Sequence, residues 1–144
     1  MSFLEIENKK IVVFGLANKK SVACAIARVL AEEGAEIIHV VRSEQRAETA
    51  RKLFPGSQVF ICDVEDEANI IRVRDEIAAN VSGDIDGIVH SIAFANYSEG
   101  LKPFHETLKK DFLQVLFALF LHHINMMNRI IRGITRVLKI SNYN

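Results

Sequence analysis

The sequence has no net charge, no long apolar run and almost no cysteine, and each absence removes a class of protein. Eighteen basic residues balance 18 acidic ones, so no overall field argues for nucleic acid or an acidic partner. The longest uninterrupted apolar run, residues 115–121, falls far short of the roughly 20 residues that cross a bilayer, and no integral membrane segment is expected. Residues 1–10 are charged and lack the apolar stretch and small-residue site of a secretory signal, which points to the cytoplasm. Cys24 and Cys62 have no C-x-x-C spacing, so neither a disulfide framework nor a zinc site is indicated; they read as small buried hydrophobes. What the 144 residues do have is a composition of 49% hydrophobic and 25% charged residues, enough to bury the core of one ordinary domain.

Along the chain, short apolar strands alternate with amphipathic helices. Residues 11–14 are a β-branched and aromatic run ended by Gly15, which fits a strand covered on both faces. Val22, Ala25, Ile26, Val29 and Leu30 then recur at helical spacing, with Ser21 able to cap that helix and Gly34 to close it. Residues 37–41 predict a second strand, Ser43 opens a second helix that Pro55-Gly56 stops, and residues 59–62 predict a third strand. Glu65, Asp66 and Glu67 favour the positive end of a third helix running through Ile70, Ile71, Val73 and Ile77 towards Gly83. Residues 88–92 predict a fourth strand.

Four such alternations with short loops define the expected fold class: α/β, a Rossmann-like doubly wound parallel sheet with right-handed crossovers. In such sheets a ligand binds beyond the carboxyl ends of the strands where strand order reverses, here between the first and fourth strands, so Gly15 and Ser91 should face one another. The last segment differs. Four basic residues (Arg129, Arg132, Arg136, Lys139) and no acidic ones follow Gln114, so residues 1–114 read as the dinucleotide-binding unit and 115–144 as a divergent helical tail. Ile130, Ile131, Ile134, Val137 and Leu138 with those bases outline a basic amphipathic helix, either a plain surface helix or one suited to an anionic membrane.

The loop from Gly15 to Ala23 joins the first strand to the first helix, where backbone N–H groups and the helix dipole can meet a pyrophosphate. It lacks the G-x-G-x-x-G spacing; only the first glycine is present. Taken alone its spacing fits an ordinary strand-to-helix loop with a serine cap better than a dinucleotide loop. Arg42, ending the second strand, occupies the position where many NAD-specific proteins put an acid on the ribose 2′-hydroxyl; a guanidinium there suits a 2′-phosphate, with Ser43 or Arg46 as helpers, or is simply solvated. Asp63 is either an adenine acceptor or a cap for the third helix. His39 and His90, inside apolar strands, read as satisfied core histidines, and His122-His123 diverge by about 100° on a helix and make a poor metal pair.

The Gly-five residues-Ser-x-Ala pattern of that loop, Cys62-Asp63-Val64 after the third strand, and His90-Ser91-Ile92-Ala93-Phe94-Ala95-Asn96 after the fourth together resemble the enoyl-acyl-carrier-protein reductases of the short-chain dehydrogenase/reductase superfamily. The similarity runs from about residue 3 to 114, and Asp111-Phe112-Leu113-Gln114 resembles the start of the family's fifth helix. The resemblance implies a cytoplasmic, homo-oligomeric enzyme that reduces the trans-2,3 double bond of an enoyl thioester on acyl carrier protein, with NADPH or NADH as cofactor and Arg42 leaning towards NADPH. It gives Gly15, Ser21 and Val22 to the pyrophosphate and adjoining ribose, Asp63 and Val64 to the adenine, Ser91, Ile92 and Ala93 to the nicotinamide side, and Ala95 to the acyl pocket.

The same family uses a tyrosine hydroxyl with a lysine six or seven residues later, after the fifth strand, to stabilise the charge that develops on the substrate. Neither Tyr97, despite nearby Lys102, nor Tyr143 has a lysine at that offset, and no catalytic residue is assigned. The expectation is an incomplete, inactive reductase sequence whose reading changes near Gln114, with strand four as an apolar edge. A non-catalytic dinucleotide-binding module and a membrane-surface protein using the basic tail stand as alternatives.

Overall fold

The computed structural model describes residues 3–92 and 106–116. Four strands, β1 (Lys10–Phe14), β2 (Glu36–Val41), β3 (Gln58–Ile61) and β4 (Gly87–His90), alternate with helices α1 (Val22–Glu32), α2 (Glu44–Leu53) and α3 (Glu67–Asn80); α4 (Lys109–Leu116) follows. The strands form one parallel sheet in the order β3-β2-β1-β4. Chain order therefore runs outward from β1 to β3 and then reverses to the other side of β1, which is the expected doubly wound arrangement.

Strand side chains alternate between the two faces, and each face has its own cover. Ile11, Val13, Ile37 and Val41 pack on Ala23, Cys24 and Ala27 of α1 and on Ala47 and Ala50 of α2. Val12, Phe14, Ile38 and Val40 face Ile70, Val73 and Ile77 of α3. The small residues of α1 and α2 let those helices lie close to the sheet, and the branched residues of α3 fill the opposite side. Both cysteines are free and buried within these layers, and burial pushes the Cys62 thiol up to about 11, away from reactivity.

Helix ends follow local chemistry. Ser21 caps α1 by accepting from the Cys24 amide, and Gly34 takes φ +88° just beyond the helix end. Ser43 stands at the N-cap of α2 without a side-chain bond. The three acidic residues expected together at the start of α3 divide their work: Asp66 caps the helix by accepting from the Ala68 amide and Glu67 lies in the first turn, whereas Glu65 precedes the helix. α3 stops at Asn80, before Gly83, because Val81 turns out of helical geometry and into the core. β4 stops at His90, two residues earlier than predicted, although the Ser91 amide still donates to the Phe14 carbonyl at 3.2 Å.

His39 corrects one expectation. It is fully buried, but neither ring nitrogen has a hydrogen-bond partner among the described residues. It sits instead with its ring centroid 4.6 Å from that of Phe54. Its position is set by β2 register, opposite Val13 and Val59, where the strand neighbours are apolar and, among the described residues, neither ring nitrogen is paired. Among the described residues no helix is long and apolar enough to cross a membrane, and no group of three or more metal-ligating side chains occurs.

Candidate functional site at the carboxyl edge of the sheet

Because all strands are parallel, their carboxyl ends share one edge, and strand order lines up Asp63 and Val64 (after β3), Arg42 (after β2), Gly15 (after β1) and Ser91 with Ile92 (after β4). With strands about 4.8 Å apart, the line is about 14 Å long. Gly15 and Ser91 meet at the point where strand order reverses. Gly15 has φ +96°, and a Cβ built on it would lie 2.1 Å from the Ser91 carbonyl oxygen, 2.6 Å from its carbon and 3.2 Å from the Ile92 nitrogen. Only glycine satisfies both that backbone angle and that approach.

The loop beyond Gly15 organises itself. The Ser21 hydroxyl donates to the Asn18 carbonyl at 2.7 Å and its oxygen accepts from the Ala17 and Cys24 amides, both at 3.4 Å. Asn18 Oδ1 accepts from the Lys20 amide at 2.8 Å. Ser21 thus fixes the turn with the hydroxyl that the sequence also offers to a phosphate. Val22 opens α1 with its side chain exposed, where the first amides of a helix lack intrahelical partners. From α2, Arg46 donates to the Ala17 carbonyl. It ties the loop to the neighbouring helix rather than assisting Arg42.

At the other end of the edge, Val41 pairs with Ile61 across β2 and β3, which brings Arg42 beside the Asp63 turn. Asp63 Oδ1 accepts from the Glu65 amide at 3.1 Å, and Arg42 Nη2 lies 3.5 Å from Asp63 Oδ2 and 3.3 Å from Glu65 Oε2. Asp63 is therefore not the cap of α3; Asp66 is. Arg42 is engaged by two carboxylates rather than simply solvated. Val64 and Ile92 pack against the α3-side core, which anchors the backbone at both ends of the site. Arg72 of α3 adds a further anchor, donating to the Ile61 carbonyl at 2.8 Å. Ala93, Ala95, Tyr97, Lys102, His122, His123, Tyr143 and residues 117–144 of the predicted tail lie outside the described residues.

Two residues of this site were not singled out from the sequence. Glu65 reads there as one of three acids at the start of the third helix, and Arg72 is given no role there. The β2–β3 register brings Glu65 to Arg42, and the packing of α3 on β3 brings Arg72 to the Ile61 carbonyl.

A doubly wound parallel sheet with a glycine-bearing first loop against the end of β4 defines a Rossmann-like protein. The family model for enoyl-(acyl carrier protein) reductase matches residues 15–137, so the chain belongs to that family; the match extends past Gln114 into the segment that the sequence sets apart. The NADPH enoyl-[acyl-carrier-protein] reductase FabI of Staphylococcus aureus is 36% identical over 115 residues, 76% of this chain and 44% of its own. The NADH enzyme FabI of Enterococcus faecalis is 39% identical over 95 residues, 65% of this chain and 38% of its own. The crystal structure of the NADH enzyme from Aquifex aeolicus is 26% identical and matches with a TM-score of 0.76 over 90% of this chain and 57% of that one. The chain spans less than half the length of the two sequence relatives.

Proposed function

We propose that this chain supplies the dinucleotide-holding part of an enoyl-acyl-carrier-protein reductase acting in the cytoplasm on fatty acyl thioesters. The observation that supports the reading is the close approach of Gly15 to the Ser91 carbonyl, where a Cβ would overlap the Ser91 backbone; it brings the first loop and the end of β4 together at the switch point where such sheets bind their ligands. Gly15, Ser21 and Val22 hold the pyrophosphate and adjoining ribose, using the α1 N-terminus and its dipole. Asp63 and Val64 take the adenine, with the Asp63 carboxylate accepting from the exocyclic amine. Ser91, Ile92 and Ala93 flank the nicotinamide, and Ala95 the acyl chain. The bound nicotinamide supplies the hydride.

Arg42 stands for the 2′-phosphate, so NADPH is the preferred cofactor. Titrating the purified chain with NADPH and NADH while following nicotinamide fluorescence tests both points: both should bind, NADPH more tightly. No binding refutes the dinucleotide reading, and tighter NADH refutes the role of Arg42. Tyr97 has no lysine six or seven residues on, so it is given no catalytic role, and a crotonyl thioester assay of Tyr97→Phe that shows lost turnover would refute that assignment.

A further inference from the structure

We propose that Glu65 sets how strongly this chain discriminates NADPH from NADH, by competing with the 2′-phosphate for the Arg42 guanidinium; the inference rests on the dinucleotide reading above. Arg42 Nη2 is 3.3 Å from Glu65 Oε2 and 3.5 Å from Asp63 Oδ2. The Asp63 carboxylate is also committed through its other oxygen to the Glu65 amide, so the turn that shapes the adenine end holds Glu65 beside Arg42. One cation thus faces two anions at the position where a doubly charged phosphate would dock.

The two chemistries that distinguish dinucleotides stand here as a pair. A carboxylate beside the end of the second strand accepts from a ribose 2′-hydroxyl, and a guanidinium there takes a 2′-phosphate; here the carboxylate is Glu65, which reaches Arg42 from the turn after β3. NADH can bind with the Arg42–Glu65 pair intact and offer its 2′-hydroxyl to the carboxylate. NADPH must turn the Glu65 side chain away, because phosphate and carboxylate repel one another and both require the same N–H donors. All three side chains are partly exposed, at 56%, 57% and 40% for Arg42, Glu65 and Asp63, so the carboxylate has room to swing out and the competition is a matter of degree.

The test uses the full chain and Glu65→Gln, Arg42→Ala and the double variant, titrated with NADPH and NADH. With screening appropriate to an exposed pair, Glu65→Gln is expected to tighten NADPH roughly 3- to 10-fold while NADH changes less than about 2-fold. The gain should shrink at about 0.5 M salt, where the Debye length is only a few ångströms. In the Arg42→Ala background the gain should vanish, because the phosphate then has no donor to contest. Equal shifts for both dinucleotides, or an undiminished gain without Arg42, would mean a plain surface-charge effect and overturn the proposal. Binding of both dinucleotides with an unmoved ratio overturns it alone, whereas binding of neither by the unmodified chain overturns the dinucleotide reading and this inference with it. Glu65→Lys, which replaces the competitor with a second cation, should move the ratio further in the same direction; a ratio that stays put or falls also counts against the proposal.

Discussion

Replacing Gly15 by alanine probes the junction on which the site is built. The residue sits at φ +96°, a backbone region that costs an L-residue about 1–2 kcal/mol. The added methyl would lie 2.1 Å from the Ser91 oxygen and 2.6 Å from its carbon, both backbone atoms, so no side-chain rotation relieves the overlap. The end of β4 must move from β1 by about 1 Å or more to restore ordinary contact distances. That movement strains the Ser91 amide bond to Phe14 at 3.2 Å, and any accompanying shift of Gly15 strains its own amide bond to Val40 of β2 at 3.4 Å, each worth about 1 kcal/mol net. The expected total is about 3–4 kcal/mol, a large part of the 5–15 kcal/mol that typically stabilises a domain. Gly56 is the control: it has φ +88° with nothing within 4 Å of its added Cβ, so Gly56→Ala should cost only the conformational part, about 1–2 kcal/mol. Urea unfolding of the two variants separates the terms, and NADPH titration should show binding lost in Gly15→Ala and kept in Gly56→Ala. If Gly15→Ala is no more costly than Gly56→Ala, the close approach of β1 and β4 is not as described.

Two further outcomes follow from the core and the first helix. Burial lowers the His39 imidazole from 6.5 to about 4, so the unfolded chain takes up the proton first as pH falls. The His39 contribution to stability is therefore complete above pH 6.5 and is lost between 6.5 and 4, by up to about 3 kcal/mol; urea midpoints against pH measure it, and His39→Leu should flatten that part of the profile. Ser21→Ala removes the α1 cap and the link to Asn18, which should cost about 1 kcal/mol in the same unfolding assay and weaken dinucleotide binding, whereas Ser21→Thr should recover most of the stability.

The fold was legible because its signals are local. Each strand is a short, largely apolar run set between helical repeats, and the two-residue alternation divides β1 and β2 between the helix layers. The strand order follows from parallel crossovers of this length, so the meeting of Gly15 and Ser91 could be stated in advance. The ends of elements were less legible. β4 stops at His90 although Ile92 is again apolar, because beyond Phe14 its partner β1 has already turned at Gly15. His39 shows the opposite limit: a polar residue in an apolar run gives no sign of whether an acceptor stands opposite, since that depends on β1 and β3 register.

The candidate site divides along the same line. Gly15, Ser21 and Asp63 are local features, a positive φ, a cap and a turn, and a spacing pattern can find them. Arg42 was also identified, from its place after β2, but its surroundings were not. Its two carboxylate partners lie 21 and 23 residues further on, in a stretch whose three consecutive acids look alike as a helix start. What separates them is that a helix uses one cap: once Asp66 accepts from the Ala68 amide, Glu67 falls into the first turn and Glu65 is left outside the helix, on the side that the Asp63 turn directs towards β2. Local capping chemistry thus decides which carboxylate reaches the guanidinium. By the same reasoning, shifting the cap by one residue would change the surroundings of Arg42 without altering any residue of the dinucleotide loop.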